Sequence, residues 1–188
     1  MDLVARVKGI LLNPKAEWPV IEREPGDFGS LLSSYVMYVA AIPPICAFIG
    51  TSLIGIGGIR IGIMGGLIHA IITYVLTIAG VFVMAYIIDF LAGTFGAQRN
   101  FDNAMRVSAY APTAAWVVGI FNILPFLGFL AILGLYSLYL LHTGIVGLMR
   151  PPADKAVLYT ISAVVCVIIL WAIIIGLPVM LLGGLLLM

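Results

Sequence analysis

Apolar residues dominate this chain, and charged residues interrupt them at only a few places. Beyond residue 27 there are four uncharged stretches, at residues 28–59, 61–88, 107–149 and 156–188. A helix that crosses a bilayer needs ~20 mostly apolar residues, so each stretch can hold at least one crossing. The third stretch is long enough for two helices, and we expect the break near Pro125, because proline stops helix propagation.

The pattern therefore predicts five transmembrane helices in one domain. Their expected bounds are residues 31–54, 66–91, 105–121, 126–149 and 156–177. The predicted fold class is an all-α integral membrane protein. Residues 28–188 form its bundle of five transmembrane helices, and residues 1–27 form a cytoplasmic amphipathic or interfacial N-terminal segment. The apolar tail after Pro178 either extends the fifth helix or folds along the far interface.

Composition supports the membrane assignment. Apolar residues make up 63% of the 188 residues, charged residues make up only 9%, and the mean hydropathy is +1.22. A soluble domain carries roughly a quarter charged residues. So few charges cannot cover a surface that faces water, which excludes a soluble enzyme, a nucleic-acid-binding domain and a disordered chain. The net charge of +1 gives no indication of an acidic polymer as partner.

The N-terminal segment has a pattern of its own. Apolar residues such as Ile10 fall at helical spacing on one side, and polar residues such as Arg6 fall on the other, which predicts a short helix that ends before Pro14. This helix either lies on the inner membrane surface or packs against the cytoplasmic loops. Trp18 is expected to anchor the segment at the interface, and a mixed-charge linker should follow at residues 22–27.

Lysine and arginine near the ends of the spans predict the orientation. They concentrate before helix 1, in the 2–3 loop and in the 4–5 loop: Arg6, Lys8, Lys15, Arg23, Arg99, Arg106, Arg150 and Lys155. The opposite loops contain only Arg60. Cytoplasmic loops are the positive ones, so we predict a cytoplasmic N-terminus and an exterior C-terminus. The anionic lipids of the inner leaflet are the first predicted partner.

Proline residues lie inside two predicted spans. Pro43 and Pro44 are near the centre of helix 1, and Pro112 lies in helix 3. Each removes a backbone donor and crowds the preceding turn, so kinks are expected at both places. The three prolines are candidate hinges, and the alternative is a static bend that packing holds in place.

A few ionisable residues lie in or near the spans, where each costs ~2.5–3.5 kcal/mol at the bilayer centre. His69 is in the outer part of helix 2, Asp89 is near its cytoplasmic end, and His142 is about two turns inside helix 4. Asp89 has a depth compatible with His142 or Arg106. One hypothesis is a proton- or cation-linked site at Asp89 and His142. The other is a histidine bonded to a hydroxyl or carbonyl group, beside an interfacial Asp–Arg pair.

Two further polar positions are candidates. Asp102 and Arg106 are four residues apart at the start of helix 3, a spacing at which opposite charges support a helix. Asn100 or Asp102 is expected to cap that helix. Asn122 marks the turn between helices 3 and 4, where its side chain suits the headgroup region.

No constellation of reactive residues indicates an enzyme. The sequence lacks the metalloprotease, serine-hydrolase and phosphate-loop motifs, and the predicted spans offer one carboxylate and two histidines. We therefore predict no catalytic residues, no metal site, no cofactor and no nucleic-acid partner. Cys46 and Cys166 both fall within spans and are expected to remain free thiols.

Several motifs together resemble bacterial members of the Yip family, the Ypt/Rab-interacting membrane proteins. The motifs are LLNPKAEW at 11–18, AYAP at 109–112, NILPFLGF at 122–129, LYSLYL at 135–140 and PPADK at 151–155. The resemblance implies a five-pass protein of the bacterial inner (plasma) membrane, with a cytosolic N-terminus and a periplasmic C-terminus. In eukaryotic relatives it implies a role in vesicle traffic and binding of prenylated Rab-type GTPases. The aspartate-leucine-tyrosine-glycine-proline stretch of those relatives is missing before helix 1, so a GTPase partner is not predicted here.

Two functional hypotheses follow. The first is a non-enzymatic membrane organiser or adaptor that acts through protein and lipid contacts, as a homo-oligomer or with other membrane proteins. The second is a small solute or ion transporter or channel that uses the region of Asp89 and His142. Five helices enclose a pathway with difficulty in one subunit, so transport would require a multimer.

Overall fold

The computed structural model describes residues 2–24, 28–55 and 60–186, apart from the side chains at 125, 178 and 181–186. Every regular element in this part of the chain is helical, which confirms the all-α fold class. Four helices in it are long and apolar enough to cross a membrane: Phe28–Ile54, Ile63–Thr94, Phe126–Met149 and Ala156–Leu177. The remaining predicted crossing, the third in chain order at 105–121, consists of shorter helices.

Two short helices form an N-terminal hairpin (residues 2–24). Helix α1 (Leu3–Leu12) begins where the Asp2 carboxylate accepts hydrogen bonds from the backbone of Val4 and Ala5, and it ends before Asn13. Helix α2 (Pro14–Arg23) follows at once, because proline is tolerated in the first turn. The sequence predicted α1 and its end correctly. It did not predict α2, which occupies most of the segment before the expected linker.

The first crossing, α3 (Phe28–Ile54), is interrupted near its centre. The helical hydrogen bonding stops in a turn at Ala40 and Ala41, and it resumes over Ile42–Phe48, with Pro43 and Pro44 in the first turn of the new segment. Proline has no N–H to donate to the preceding turn, so the break lies just before the two prolines. The remaining segments of α3 are Phe28–Leu31, Leu32–Val36, Met37–Val39 and Ile49–Ile54.

The second crossing, α4 (Ile63–Thr94), is a single helix of 32 residues. It extends three residues beyond the predicted bounds at each end. At ~1.5 Å per residue its length approaches 50 Å, well beyond the ~30 Å of a hydrocarbon core. It ends just before Gly96, whose φ of +67° is a backbone conformation that glycine adopts without strain.

The segment predicted as the third crossing is divided by Pro112. Helix α5 (Phe101–Tyr110) stops at a turn formed by Ala111 and Pro112, helix α6 (Thr113–Val118) follows, and a 3-10 segment runs over Gly119–Ile123. The predicted kink at Pro112 is thus a break between two helices. Asn100 caps α5 by accepting a hydrogen bond from the backbone N–H of Asn103 at 3.0 Å.

The last two crossings, α7 and α8, meet the expected bounds closely. Helix α7 starts after an extended residue, Leu124, and consists of 3-10 turns over Pro125–Leu135, an α-helix over Tyr136–Gly144 and a π-helical turn over Ile145–Met149. Helix α8 (Ala156–Leu186) continues through position 178, so the apolar tail extends the fifth helix.

The most tightly packed region lies towards one end of the bundle, which we call the basic end because it carries Arg99, Arg150 and Lys155. The hydroxyl of Tyr159 there donates to the carbonyl of Ile88, which joins α8 to α4. Around the rest of the bundle large apolar side chains are exposed, as a lipid solvent requires.

Candidate functional site

The N-terminal hairpin holds a buried cation, Arg6. Only 6% of this residue is exposed, and its guanidinium pairs with the carboxylates of Glu17 and Glu24. It also lies over the ring of Tyr110, with 5.9 Å between the guanidinium carbon and the ring centroid. Because α1 supplies the cation and α2 with its C-terminal cap supplies both anions, the ion cluster holds the two short helices together and against α5.

Two polar residues of α5 tie the basic end together. Arg106 donates to the side-chain oxygen of Asn103 at 3.0 Å and to the backbone carbonyl of Glu24 at 3.0 Å. The side-chain amide of Asn103 in turn donates to the carbonyl of Leu148 at 3.1 Å. Asp102, the predicted partner of Arg106, is exposed on the same helix. The Asp102–Arg106 support is thus replaced by contacts of Arg106 with Asn103 and Glu24.

Asp89 forms an ion pair with Arg99, at 3.0 Å between the carboxylate and the guanidinium. Asp89 is 15% exposed and Arg99 is 62% exposed, so the pair lies at the rim of the bundle. Arg99 comes from the loop that follows α4, whereas the sequence pointed to Arg106 or His142 as the partner. An Asp–Arg pair at the interface was expected, but its cation is a different one.

His142 bonds a hydroxyl group, as one of the two hypotheses expected. Its Nδ1 atom lies 2.8 Å from the Thr160 Oγ1 atom, and that hydroxyl also lies 2.9 Å from the carbonyl oxygen of Ala156. A hydroxyl carries a single proton, so Thr160 can donate to only one of these two groups at a time. The contact links α7 to α8, and it does not involve Asp89.

His69 lies far from the other candidates. It is half-buried in the first third of α4, 20 residues from Asp89, which is roughly 30 Å along one helix. Thr73 and Thr77 follow it on the same face, and the Thr77 hydroxyl donates to the Thr73 carbonyl. The structure therefore does not bring the candidate residues together in one site. Among the residues described, no group of three His, Cys, Asp or Glu side chains could hold a metal ion.

Pro43, one of the three candidate hinges, is packed against neighbouring backbone, whereas Pro112 lines a cavity. A Cβ atom placed on Gly119 would lie 2.7 Å from the ring of Pro43, so the break in α3 fits closely against the end of the third crossing. Similarly, a Cβ on Gly50 would lie 2.0 Å from the carbonyl oxygen of Asn122. Asn122 thus contributes a backbone contact at the turn. Such close contacts favour the static bend over a moving hinge.

A cavity of about 100 Å³ lies between α4, α6, α7 and α8. Its wall is mostly apolar and includes Trp116 and Trp171, with hydroxyl groups from Thr77, Ser108 and Ser137. The Ser137 hydroxyl accepts a hydrogen bond from the backbone N–H of Ala115, whereas the buried Ser108 hydroxyl has no hydrogen-bond partner among the described residues. Neither Asp89 nor His142 is among its lining residues.

The sequence alone did not reveal several residues that organise the basic end. Glu17 and Glu24 were not predicted to neutralise Arg6, and Trp18 was expected at the membrane interface. Trp18 is fully buried instead, and its indole N–H donates to the Thr143 hydroxyl at 3.0 Å. A signal was present, because Pro14, Trp18 and Ile21 are spaced as one face of a helix.

The comparison with known proteins identifies the family. The sequence family described as the Yip1 domain matches residues 8–174, nearly the whole chain. The chain belongs to the Yip1 family. This confirms the resemblance seen in the sequence motifs, and it makes the chain a family member whose bundle is all-helical.

The chain is also similar to a protein found in two strains of Escherichia coli. The chain is 31% identical over 127 residues to the inner membrane protein YohC of strain K12 and, equally, of strain CFT073. The match covers 65% of this chain and 65% of YohC, so the chain spans about two thirds of the length of that relative. No solved structure matches the chain.

Proposed function

We propose that this Yip1-family protein is a non-enzymatic organiser or adaptor of the bacterial inner membrane. One observation carries the proposal. Three ionisable side chains in or near the crossings bond partners within the protein: Arg6 with Glu17 and Glu24, Asp89 with Arg99, and His142 with Thr160. Groups engaged in this way hold elements together, and acid–base chemistry or solute binding would require them to face a substrate.

The first proposed contact of such an organiser is with lipid. Arg99, Arg150 and Lys155 extend from the loops of the basic end and are exposed. We propose that this end faces the cytoplasm, since positive loops are retained there. Lys155, which forms no ion pair among the described residues, would then meet the anionic lipids of the inner leaflet, and such a cation is worth ~1 kcal/mol near a charged surface. Arg99 and Arg150 pair with Asp89 and Glu22, so each should contribute less.

The second proposed contact is with another protein, through the exposed face of α8. Helix α8 packs mainly on α4. Much of its surface is exposed, since only 11% of the residues in its most apolar stretch are buried. The exposed face offers large apolar side chains, among them Val157, Ile161, Ile168 and Ile175. We propose that this face binds a second copy of the chain or another membrane protein.

Cross-linking in membranes tests the protein contact. In a background with both cysteines replaced (Cys46→Ala, Cys166→Ala), single cysteines at positions 157, 161, 168 and 175 of α8 are oxidised in native membranes. We expect disulfide-linked dimers at one or more of these positions. A cysteine at Val75, exposed on α4, is the matched control and should remain monomeric. The absence of dimers at all four positions, with single copies in nanodiscs, would contradict self-association through α8.

Flux measurements test the proposal against transport. Asp89→Asn and His142→Ala remove the two groups on which the transport hypothesis depends. We expect both variants to retain expression and cross-linking, and liposomes with the parent protein to match empty liposomes in their permeability to protons, sodium and potassium. A flux that the parent protein supports, and that either substitution abolishes in a folded variant, would overturn the proposal in favour of transport.

A further inference from the structure

The N-terminal hairpin runs alongside α7. At the basic end, the Arg150 guanidinium pairs with Glu22 at 2.7 Å. Further along α7, Thr143 accepts the indole N–H of Trp18 at 3.0 Å, and further still the Tyr136 hydroxyl donates to the carbonyl of Leu11 at 3.0 Å. The hairpin therefore follows α7 from Arg150 to Tyr136, which is roughly 20 Å at ~1.5 Å per residue.

The level of Tyr136, roughly 20 Å along α7 from Arg150, lies inside the bilayer. Helix α7 crosses the membrane over Phe126–Met149, and Tyr136 is near the middle of that span. A hydrocarbon core is ~30 Å thick, so a level ~20 Å from one end of a spanning helix is far from the headgroups on that side. Leu12, at the tip of the hairpin, is 82% exposed at this level, and Val4 and Val20 are exposed on its flanks.

Several polar groups of the hairpin have the partners that a low-dielectric environment requires, although the buried Arg6 Nε atom has none among the described residues. The last carbonyls of a helix have no partner within it, and lipid offers none. Here the Leu11 carbonyl receives the Tyr136 hydroxyl, and the Asn13 carbonyl accepts the backbone N–H groups of Ala16 and Glu17. The buried charge of Arg6 is neutralised by two carboxylates of the same hairpin.

Three cations are exposed on the hairpin: Lys8 on α1, Lys15 near the start of α2 and Arg23 at the end of α2. A lysine carries its charge at the end of a flexible apolar stem, so it can lie along lipid chains and reach towards the headgroups. An exposed surface with apolar residues at the tip and lysines beside them complements an anionic leaflet: acyl chains meet Leu12, and phosphates meet the ammonium groups. This surface is continuous with the lipid-facing surface of α7, where Tyr139 is also exposed.

We propose that the N-terminal hairpin is a re-entrant element that is inserted into the inner leaflet and binds anionic lipid there. It enters from the basic end, turns at Asn13 within the acyl-chain region and returns to the same side. The assignment to the inner leaflet rests on the orientation in the proposed function, whereas the depth of insertion does not. The hairpin displaces lipid from one leaflet only.

Electron paramagnetic resonance of a spin label measures this depth. In the background without cysteines, Leu12→Cys is labelled in nanodiscs that contain phosphatidylglycerol and phosphatidylethanolamine. Val75→Cys on α4 is the lipid-exposed reference, and Asp154→Cys, in the exposed loop before α8, is the aqueous reference. We expect the ratio of oxygen to nickel-complex accessibility at position 12 to match that at 75 and to exceed that at 154 severalfold.

A ratio at position 12 equal to that at position 154 would overturn the proposal. A bimane fluorophore on the same cysteine gives an independent result, since its emission shifts to shorter wavelength in lipid and not in water. If instead the label is deep but the basic end proves to face the exterior, the orientation in the proposed function fails while the re-entrant insertion stands. The two failures are therefore distinguishable.

Lipid preference tests the role of the lysines. In nanodiscs of mixed composition, Lys8→Gln together with Lys15→Gln should reduce the enrichment of phosphatidylglycerol around the protein, by up to about fivefold per cation removed. Asp154→Asn, at the aqueous loop, is a control that should not reduce it. An unchanged enrichment in the double variant would contradict the binding of anionic lipid by the hairpin.

Discussion

Ser108 and Thr113 both carry hydroxyl groups that are buried in the bundle, yet their hydrogen bonding differs. Thr113 donates to the carbonyl of Tyr110 at 2.6 Å and lies 2.7 Å from the hydroxyl oxygen of Tyr35. The Ser108 hydroxyl has no partner among the described residues, and Pro112 has no N–H to offer the carbonyl of Ser108 four residues earlier. Thr113 therefore joins two crossings, whereas Ser108 contributes a polar spot to an apolar cavity.

These differences predict opposite effects of removing each hydroxyl. Thr113→Val leaves the buried Tyr35 hydroxyl without its partner and should lower the free energy of unfolding by about 1 kcal/mol. Ser108→Ala removes an unpaired group, so the free energy of unfolding should stay the same or rise slightly. Thermal unfolding in detergent, followed by circular dichroism, measures both variants. Greater destabilisation by Ser108→Ala than by Thr113→Val would contradict the assigned bonding.

At the scale of elements, the first and third crossings meet through backbone contacts that only glycine allows. Gly50→Ala would place a Cβ against the carbonyl oxygen of Asn122, and backbone atoms cannot move aside as a flexible side chain can. We expect a loss of about 1–3 kcal/mol of unfolding free energy. Gly128→Ala, with open space around it, is the matched control and should have little effect on thermal unfolding. Equal melting temperatures for the two variants would show that the contact is looser than described.

The elements were predictable to the extent that hydrophobicity defines them. The uncharged stretches located four of the five predicted crossings within a few residues, because a spanning helix must be apolar along its whole length. The break before Pro43 and the one at Pro112 also followed from the missing N–H of proline. Helix α2 was not predicted, because the density of charged residues in and after it is typical of an exposed linker. The sequence does not show that Glu17 and Glu24 pair with Arg6.

The partners within the candidate site were beyond the sequence. Asp89 has two arginines within reach, Arg99 and Arg106, and the choice depends on how each helix is rotated and where the loop returns. No periodicity determines that rotation in a bundle that is apolar all round. The contact of His142 with Thr160 likewise depends on which helices are neighbours, and chain order does not define the neighbours of five helices.

For the whole molecule, the orientation in the membrane is the main expectation to test. Arg60 and Asp154 are exposed and lie in loops at opposite ends of the bundle. In intact cells, with the outer membrane permeabilised, Arg60→Cys should react with an impermeant maleimide. Asp154→Cys should react only after the inner membrane is opened. The reverse pattern would place the basic end outside, against the retention of positive loops in the cytoplasm.

The contacts of Trp18 with Thr143 and of Glu22 with Arg150 join residues that are 125 and 128 positions apart. During synthesis the hairpin therefore emerges long before the helix on which it docks. Until α7 has been inserted, Trp18 lacks Thr143 and Glu22 lacks Arg150, and only the contacts with earlier helices, such as that of Trp18 with Tyr110 of α5, can form. Docking of the hairpin along α7 is thus among the last steps of biogenesis, and a nascent chain arrested after residue 123 should leave the first 24 residues more open to protease than the full chain does.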